Sequence, residues 1–251
     1  MTHKTHWNRL AQVVVVLLIA LGLKQYYSTA SANQLRWILA PTTMFVSLIS
    51  GESFQFESYA GYVTSDHTFV VAAACAGVNF LITAFLMLSL RKLWVEQSTT
   101  AAKVSWRFIP TTALVAYLTT LVANAVRITI ALQLQRTPPR IGSFSRGEFH
   151  RFEGIVVYFG FLLMLFVISE RWRKKNASRL LSLSVFPLLI YYLTTLGIPL
   201  ANSAYRQKLV DGDFREHFVF VLLTPLLFIV PVAAFRFCRI HYHLLTSVQN
   251  R

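Results

Sequence analysis

Long unbroken apolar stretches, rather than a strand-like or helix-like alternation of polar and apolar positions, dominate this chain. They fall at residues 10–23, 68–90, 108–134, 154–169, 180–201 and 218–237. Most reach or approach the ~20 apolar residues that a helix needs to span a bilayer. A further stretch, residues 35–50, is apolar but interrupted by Pro41 and hydroxyl side chains. At ~1.5 Å per residue it barely crosses the hydrocarbon. The pattern predicts an all-α, polytopic transmembrane helical bundle of about six to eight spans, with seven favoured. If residues 35–50 span, the N-terminus is outside; if they are re-entrant, one span is lost and the N-terminus is cytoplasmic. The first apolar run has no small-residue cleavage site and reads as a retained anchor. No internal repeat separates the segments and the loops are short, so residues 1–251 read as a single integral membrane domain. Pro187, Pro199, Pro225 and Pro231 lie within or near the last spans, where kinks are tolerated if neighbouring helices satisfy the freed backbone groups.

Charge orients the bundle. Of 251 residues only 14% are charged and 55% are hydrophobic, against about a quarter charged in soluble domains. The net charge of +14 is gathered at span ends, with no basic stripe interleaved with aromatics, so nucleic acid is not an expected partner. Arg91, Lys92, Lys103 and Arg107 share one loop, Arg171, Arg173, Lys174, Lys175 and Arg179 another, and Arg236, Arg239 and Arg251 follow the last span. The alternating segment 51–67 has no Lys or Arg but contains Glu52, Glu57 and Asp66. The positive-inside rule therefore makes the basic loops cytoplasmic. The outer segment 135–151 runs against this contrast, because it carries Arg136, Arg140, Arg146 and Arg151. That excess suits a substrate carboxylate or an anionic lipid, and equally plain headgroup binding.

With this orientation, the start of the span at residue 68, the end of the span at residue 134 and the start of the span at residue 154 share the outer leaflet. Three reactive side chains fall there. Cys75 lies in the small-residue run Ala72-Ala73-Ala74-Cys75-Ala76-Gly77, where backbones or a substrate strand approach closely. Arg127 sits in an otherwise apolar helix, with Asn124 three residues earlier on the same face; a charge at such depth needs a partner or a task. His150 stands just before a span, with Gly154 one helical turn later leaving a gap beside it. His67 and His217 are outer-face alternatives. Each residue alone has an ordinary explanation: a packing cysteine, a snorkelling arginine, an interfacial histidine. Together they form the parts of thioester chemistry. An imidazole and a guanidinium favour the thiolate; the guanidinium also suits an oxyanion, and the imidazole a leaving amine. Cys75 and Cys238 fall near opposite ends of their spans, which excludes a disulfide between them, and no Cys/His spacing resembles a zinc site. No metal or organic cofactor is expected.

At these residues the chain resembles the exosortase/archaeosortase family of membrane transpeptidases, and within it the K-type branch. The likeness rests on Ala74-Cys75-Ala76-Gly77, Asn124-Ala125-Val126-Arg127 and His150-Arg151-Phe152-Glu153-Gly154 in that order, and covers about residues 66–170. The resemblance implies a nucleophile at Cys75, a thiolate- or oxyanion-stabilising Arg127 and a general acid/base at His150, with Asn124, Gly77 and Gly154 in support. It also implies exported protein substrates bearing a C-terminal motif, a hydrophobic helix and a basic tail. Those substrates would be cleaved at the outer face of a bacterial inner membrane and transferred to an acceptor or released. Many members carry Ser after the Cys and Arg soon after the Gly, whereas this chain has Ala76 and Val78-Asn79, a difference that bears on substrate choice.

Other classes predict different features. A transporter or channel for an anionic solute uses Arg127 and the outer arginines and leaves Cys75 incidental, but such proteins often show paired repeats and broken helices at the midplane. A structural assembly factor needs no accessible thiol at all.

Overall fold

The computed structural model describes residues 3–97, 105–136, 146–171, 180–197 and 212–230. The chain forms two compact units, Met1–Phe166 and Val167–Arg251. The first contains α1 (His3–Thr29), α2 (Arg36–Ser50), a small sheet of β1 (Phe54–Glu57), β2 (Gly61–Thr64) and β3 (Val70–Val71), a 3-10 turn (Ala73–Ala76), α3 (Val78–Gln97), α4 (Phe108–Arg136) and most of α5 (Arg146–Arg171). The second contains α6 (Leu180–Tyr192), which runs into a π-helical turn (Leu193–Gly197), and α7 (Gly212–Leu223). Within it, Tyr192 donates to the carbonyl of Leu222 at 2.6 Å.

The helical bundle expected from the apolar pattern is what the chain forms. Four of the described helical segments are long and apolar enough to cross a membrane: Trp7–Thr29, Ala73–Trp94, Phe108–Arg136 and Phe149–Glu170. Val185–Gly197 and Phe218–Val230 are shorter apolar helices. The doubtful stretch before residue 51 is a helix of 15 residues, about 22 Å long. Its interruptions are accommodated chemically. Thr42 and Thr43 turn their hydroxyls back onto the carbonyls of Ile38 and Leu39, at 2.7 and 3.0 Å. Pro41 has no N–H to give Trp37, four residues earlier. Tyr117 of α4 supplies the missing donor, reaching the Trp37 carbonyl at 2.8 Å while its ring stacks on the indole.

In the first unit α3 packs on α4 and α1, and α2 packs on α4. Val78, Phe80, Ala84, Phe85 and Met87 of α3 are buried in that core. Ser89 and Thr112 share a hydrogen bond of 2.8 Å across the α3–α4 contact.

Two departures from the apolar reading concern the connection into α3. Residues 51–67, read as an outer loop, hold most of a three-stranded antiparallel sheet in the order β1-β2-β3. Residues 68–72, read as the first turn of a span, are not helical and include strand β3, and the helical path begins only with the 3-10 turn at Ala73. The β-branched pair Val70-Val71 favours a pleated strand and pairs with Val63 and Tyr62; the alanines that follow favour a helix. At the far end of the sheet Asp66 accepts from the hydroxyl and N–H of Thr68, at 2.8 and 3.2 Å. Hydrogen bonding from Thr64 and Thr68 lowers its carboxyl to about 2.

Gly61 opens β2 with φ +114, and a Cβ there would sit 2.4 Å from the Val71 carbonyl oxygen. Both observations require glycine. Gly61→Ala is therefore expected to destabilise the sheet by about 1–3 kcal/mol, read as a lower melting temperature and faster proteolysis between β1 and β3 in the detergent-solubilised protein. An unchanged melting curve and digestion pattern would contradict the tight approach.

Candidate active site

The site starts from a backbone problem. A 3-10 turn followed by a left-handed residue leaves carbonyls without helical partners, and within apolar surroundings such groups must find donors. Gly77, at φ +71, ends the turn and lets α3 begin. The Cys75 N–H bonds the Ala72 carbonyl at 2.8 Å, closing the turn on itself. Its outward carbonyls are taken by side chains from two helices. Asn124 of α4 donates Nδ2–H to the Cys75 carbonyl at 2.6 Å, and Tyr27 of α1 donates its hydroxyl to the Ala74 carbonyl at 3.3 Å. The half-buried, free thiol of Cys75 is thus carried on a backbone tied from both sides.

Asn124 is fully buried, and its other amide atom is used as well. The hydroxyl of Tyr158 on α5 donates to Asn124 Oδ1 at 2.8 Å and accepts from Arg127 Nη1 at 3.3 Å. The Tyr158 ring stacks on Phe80 of α3, with centroids 4.9 Å apart and planes inclined by 13°. The guanidinium carbon of Arg127 lies 5.4 Å from the centroid of the same ring, close enough for a cation–π attraction. Arg127 Nη2 meets His150 Nε2 at 3.1 Å. On the other side of that imidazole, Nδ1 is 3.4 Å from Oε2 of Glu153. Cys75 lies within electrostatic reach of Arg127, Tyr158 and Tyr27.

Both glycines named from the sequence stand where a Cβ would crowd the network. A Cβ on Gly154 would lie 3.1 Å from Arg127 Nε, and one on Gly77 would lie 3.1 Å from Asn124 Cγ and 3.3 Å from the Tyr158 hydroxyl. Gly154 thus clears the path of the guanidinium stem, and Gly77 admits the amide and phenol. Arg127 itself is not at a helix end: α4 continues nine residues further to Arg136, about 13 Å.

Cys75, Asn124, Arg127, His150, Gly77 and Gly154 are therefore parts of one hydrogen-bonded or contacting neighbourhood. His67, the alternative histidine that is described, is elsewhere, beside the sheet with Nδ1 3.7 Å from Glu57 Oε1. The side chain of His217 and all of Cys238 lie outside the described residues. Of the arginines in segment 135–151, Arg136 is paired with Glu52 just before β1, while Arg140 and the side chain of Arg146 lie outside the described residues. Among the described residues no three His, Cys, Asp or Glu side chains cluster as metal ligands.

Tyr27, Glu153 and Tyr158 were not singled out from the sequence. A signal for Tyr158 was present: His150, Gly154 and Tyr158 recur every four residues along one face of α5. Tyr27 had none, because nothing local tells which helix turns towards residue 74.

Helices long and apolar enough to cross a membrane place the chain among polytopic integral membrane proteins, and in it Arg127, His150 and the backbone that carries Cys75 share one polar network. The sequence profile of the transmembrane exosortases matches residues 3–168, and the chain belongs to that family. No curated protein and no solved structure matches it. Membership makes it an integral membrane protein with a transpeptidase- or protease-like role towards exported proteins that carry sorting signals.

Tyr158→Phe removes the donor to Asn124 and the acceptor of Arg127 while keeping the ring on Phe80. Expected are a loss of about 1–2 kcal/mol in stability, seen as a lower melting temperature, and a fall in substrate processing larger than that loss explains. Wild-type stability and processing would show that the hydroxyl carries no part of the network.

Proposed function

We propose that the chain is a cysteine-dependent transpeptidase that cleaves C-terminal sorting signals through a thioester, with Cys75 as nucleophile, Arg127 as thiolate and oxyanion stabiliser and His150 as general acid and base. The observation that carries this reading is the 3.1 Å contact between Arg127 and His150, made within the network that fixes the Cys75 carbonyl. In it the substrate's C-terminal helix packs beside the spans with its basic tail in the cytoplasm, and its recognition motif enters at the outer face.

The proton of the Cys75 thiol passes to the His150 imidazole, and the thiolate attacks the scissile carbonyl carbon. Arg127 holds the oxygen that gains the charge. As the carbon–nitrogen bond breaks, the imidazolium returns its proton to the leaving amine. An amine, hydroxyl or water then gives a proton to His150 and attacks the thioester, releasing the thiolate. Asn124, Gly77 and Gly154 position these groups without touching the reacting atoms. No metal or organic cofactor enters the scheme, and the K-type branch remains part of the proposal.

An anion transporter makes a weaker account of the same residues. A transporter gives Cys75 nothing to do.

Cys75→Ala is expected to abolish processing and the mass-spectrometric thioester adduct with the processed protein, in a correctly folded enzyme. Arg127→Lys keeps the charge but loses the planar fork, and turnover should fall by about 10²-fold or more. Normal processing by Cys75→Ala would end the covalent mechanism.

A further inference from the structure

The mechanism above gives no task to Glu153, yet this residue is the strangest in the neighbourhood. It sits one turn along α5 from His150, and its side chain is only 5% exposed. Both carboxylate oxygens are buried without a hydrogen bond among the described residues. A buried carboxylate with no donor is costly unless a positive charge compensates it. The cations around it are Arg127, whose charge it feels, and the His150 ring whenever that ring is protonated.

The imidazole contacts define the resting state. A guanidinium only donates, so His150 Nε2 accepts from Arg127 Nη2 at 3.1 Å. The ring proton is then on Nδ1, the nitrogen that lies 3.4 Å from Glu153 Oε2 in an ion-pair contact without hydrogen-bond geometry. When the ring takes the thiol proton it becomes a cation in contact with another cation. Alone, that juxtaposition opposes the transfer.

We infer that Glu153 is a positioning residue and counter-charge, holding the His150 tautomer at rest and making protonation of the ring beside Arg127 affordable. The inference rests on the proposed roles of Cys75 and His150. Charge counting supports it. Arg127 and Glu153 cancel at rest. After transfer, in which the S–H bond breaks, Arg127 Nη2 releases Nε2 and an N–H bond forms on that nitrogen, thiolate and imidazolium add a second cancelling pair. Without Glu153 the site carries an unbalanced positive charge in both states. Among the described residues, the charged and titratable groups that interact with His150 or with Cys75 are Arg127 from α4, Glu153 and Tyr158 from α5 and Tyr27 from α1.

The readout is the thiol itself. In a Cys238→Ser background Cys75 is the remaining cysteine, and its alkylation by iodoacetamide in the full-length, detergent-solubilised protein reports the thiolate fraction. Glu153→Gln is expected to slow labelling about tenfold, the effect of roughly one unit in a proton equilibrium. Glu153→Asp should recover most of the rate, and His150→Ala should be at least as slow as Glu153→Gln. Labelling of Glu153→Gln at the parent rate, with His150→Ala slow, would overturn the role of Glu153 and leave the thiolate–imidazolium pair standing. A parent that labels no faster than His150→Ala would overturn the pair, and this inference with it. Should Glu153→Gln fail to fold, the double variant with Arg127→Gln decides. Restored folding supports charge balance, and continued misfolding contradicts it.

Discussion

The hydrogen bond from Asn124 to the Cys75 carbonyl is the contact on which the site depends. A turn that is not α-helical exposes carbonyls, and no water in the hydrocarbon region answers them. Each such bond contributes only about 1 kcal/mol net, but a buried group left unpaired costs about 1–3 kcal/mol. The turn at Ala73–Ala76 is therefore stable only where α4 and α1 bring Asn124 and Tyr27 to it. The same requirement then propagates. Asn124 has an oxygen to satisfy, Tyr158 satisfies it, and the phenol oxygen is left to accept from Arg127. Placing the thiol thereby also places the guanidinium.

α4 organises more than this network. In its N-terminal half it bonds α3 through Thr112 and repairs the proline break in α2 through Tyr117. Further along the same helix come Asn124 and Arg127. In its last turns Gln135 donates to the Thr68 carbonyl at 2.7 Å, and Arg136 pairs with Glu52. The sheet is thus held at both β1 and the entry to β3 by the helix that also holds the Cys75 turn. Because β3 leads directly through Ala72 into that turn, a displacement of the α4 terminus would reach the thiol through both the chain and the side-chain contacts.

How much of this the sequence revealed follows from the physics of each feature. Apolar length is a local property, so the helices containing residues 10–23, 108–134 and 154–169 are legible in the sequence, as is the meeting of Arg127 and His150. The small sheet was not, because β1 to β3 are short and lack a clean alternation; their pairing depends on Gly61 admitting the Val71 carbonyl. In the sequence Gly154 reads as a gap beside His150, and the group that occupies the gap is the stem of Arg127. Glu153 stood within a quoted motif, but burial is a tertiary property, and an acidic residue at a span boundary reads as solvated. The arginines of segment 135–151 read as one basic patch, whereas Arg136 is neutralised by an acidic residue more than eighty positions away.

The reach of the family match has a physical reason. The motifs lie between residues 74 and 154, yet the match extends back to residue 3. α1 is apolar along most of its length and carries no motif, so as an isolated segment it is an anonymous anchor. Its last turns say otherwise. Tyr27 closes one of the two carbonyl bonds of the Cys75 turn, and Lys24 donates to Asn79 Oδ1 at 2.7 Å in the first turn of α3. Those contacts bracket Gly77, the residue whose left-handed backbone separates turn from helix. A change in α1 alters the support of the thiol as directly as a change in α4 does. The first span is therefore a wall of the site, and a chain that kept the motifs but lost this helix would leave the Ala74 carbonyl without its donor.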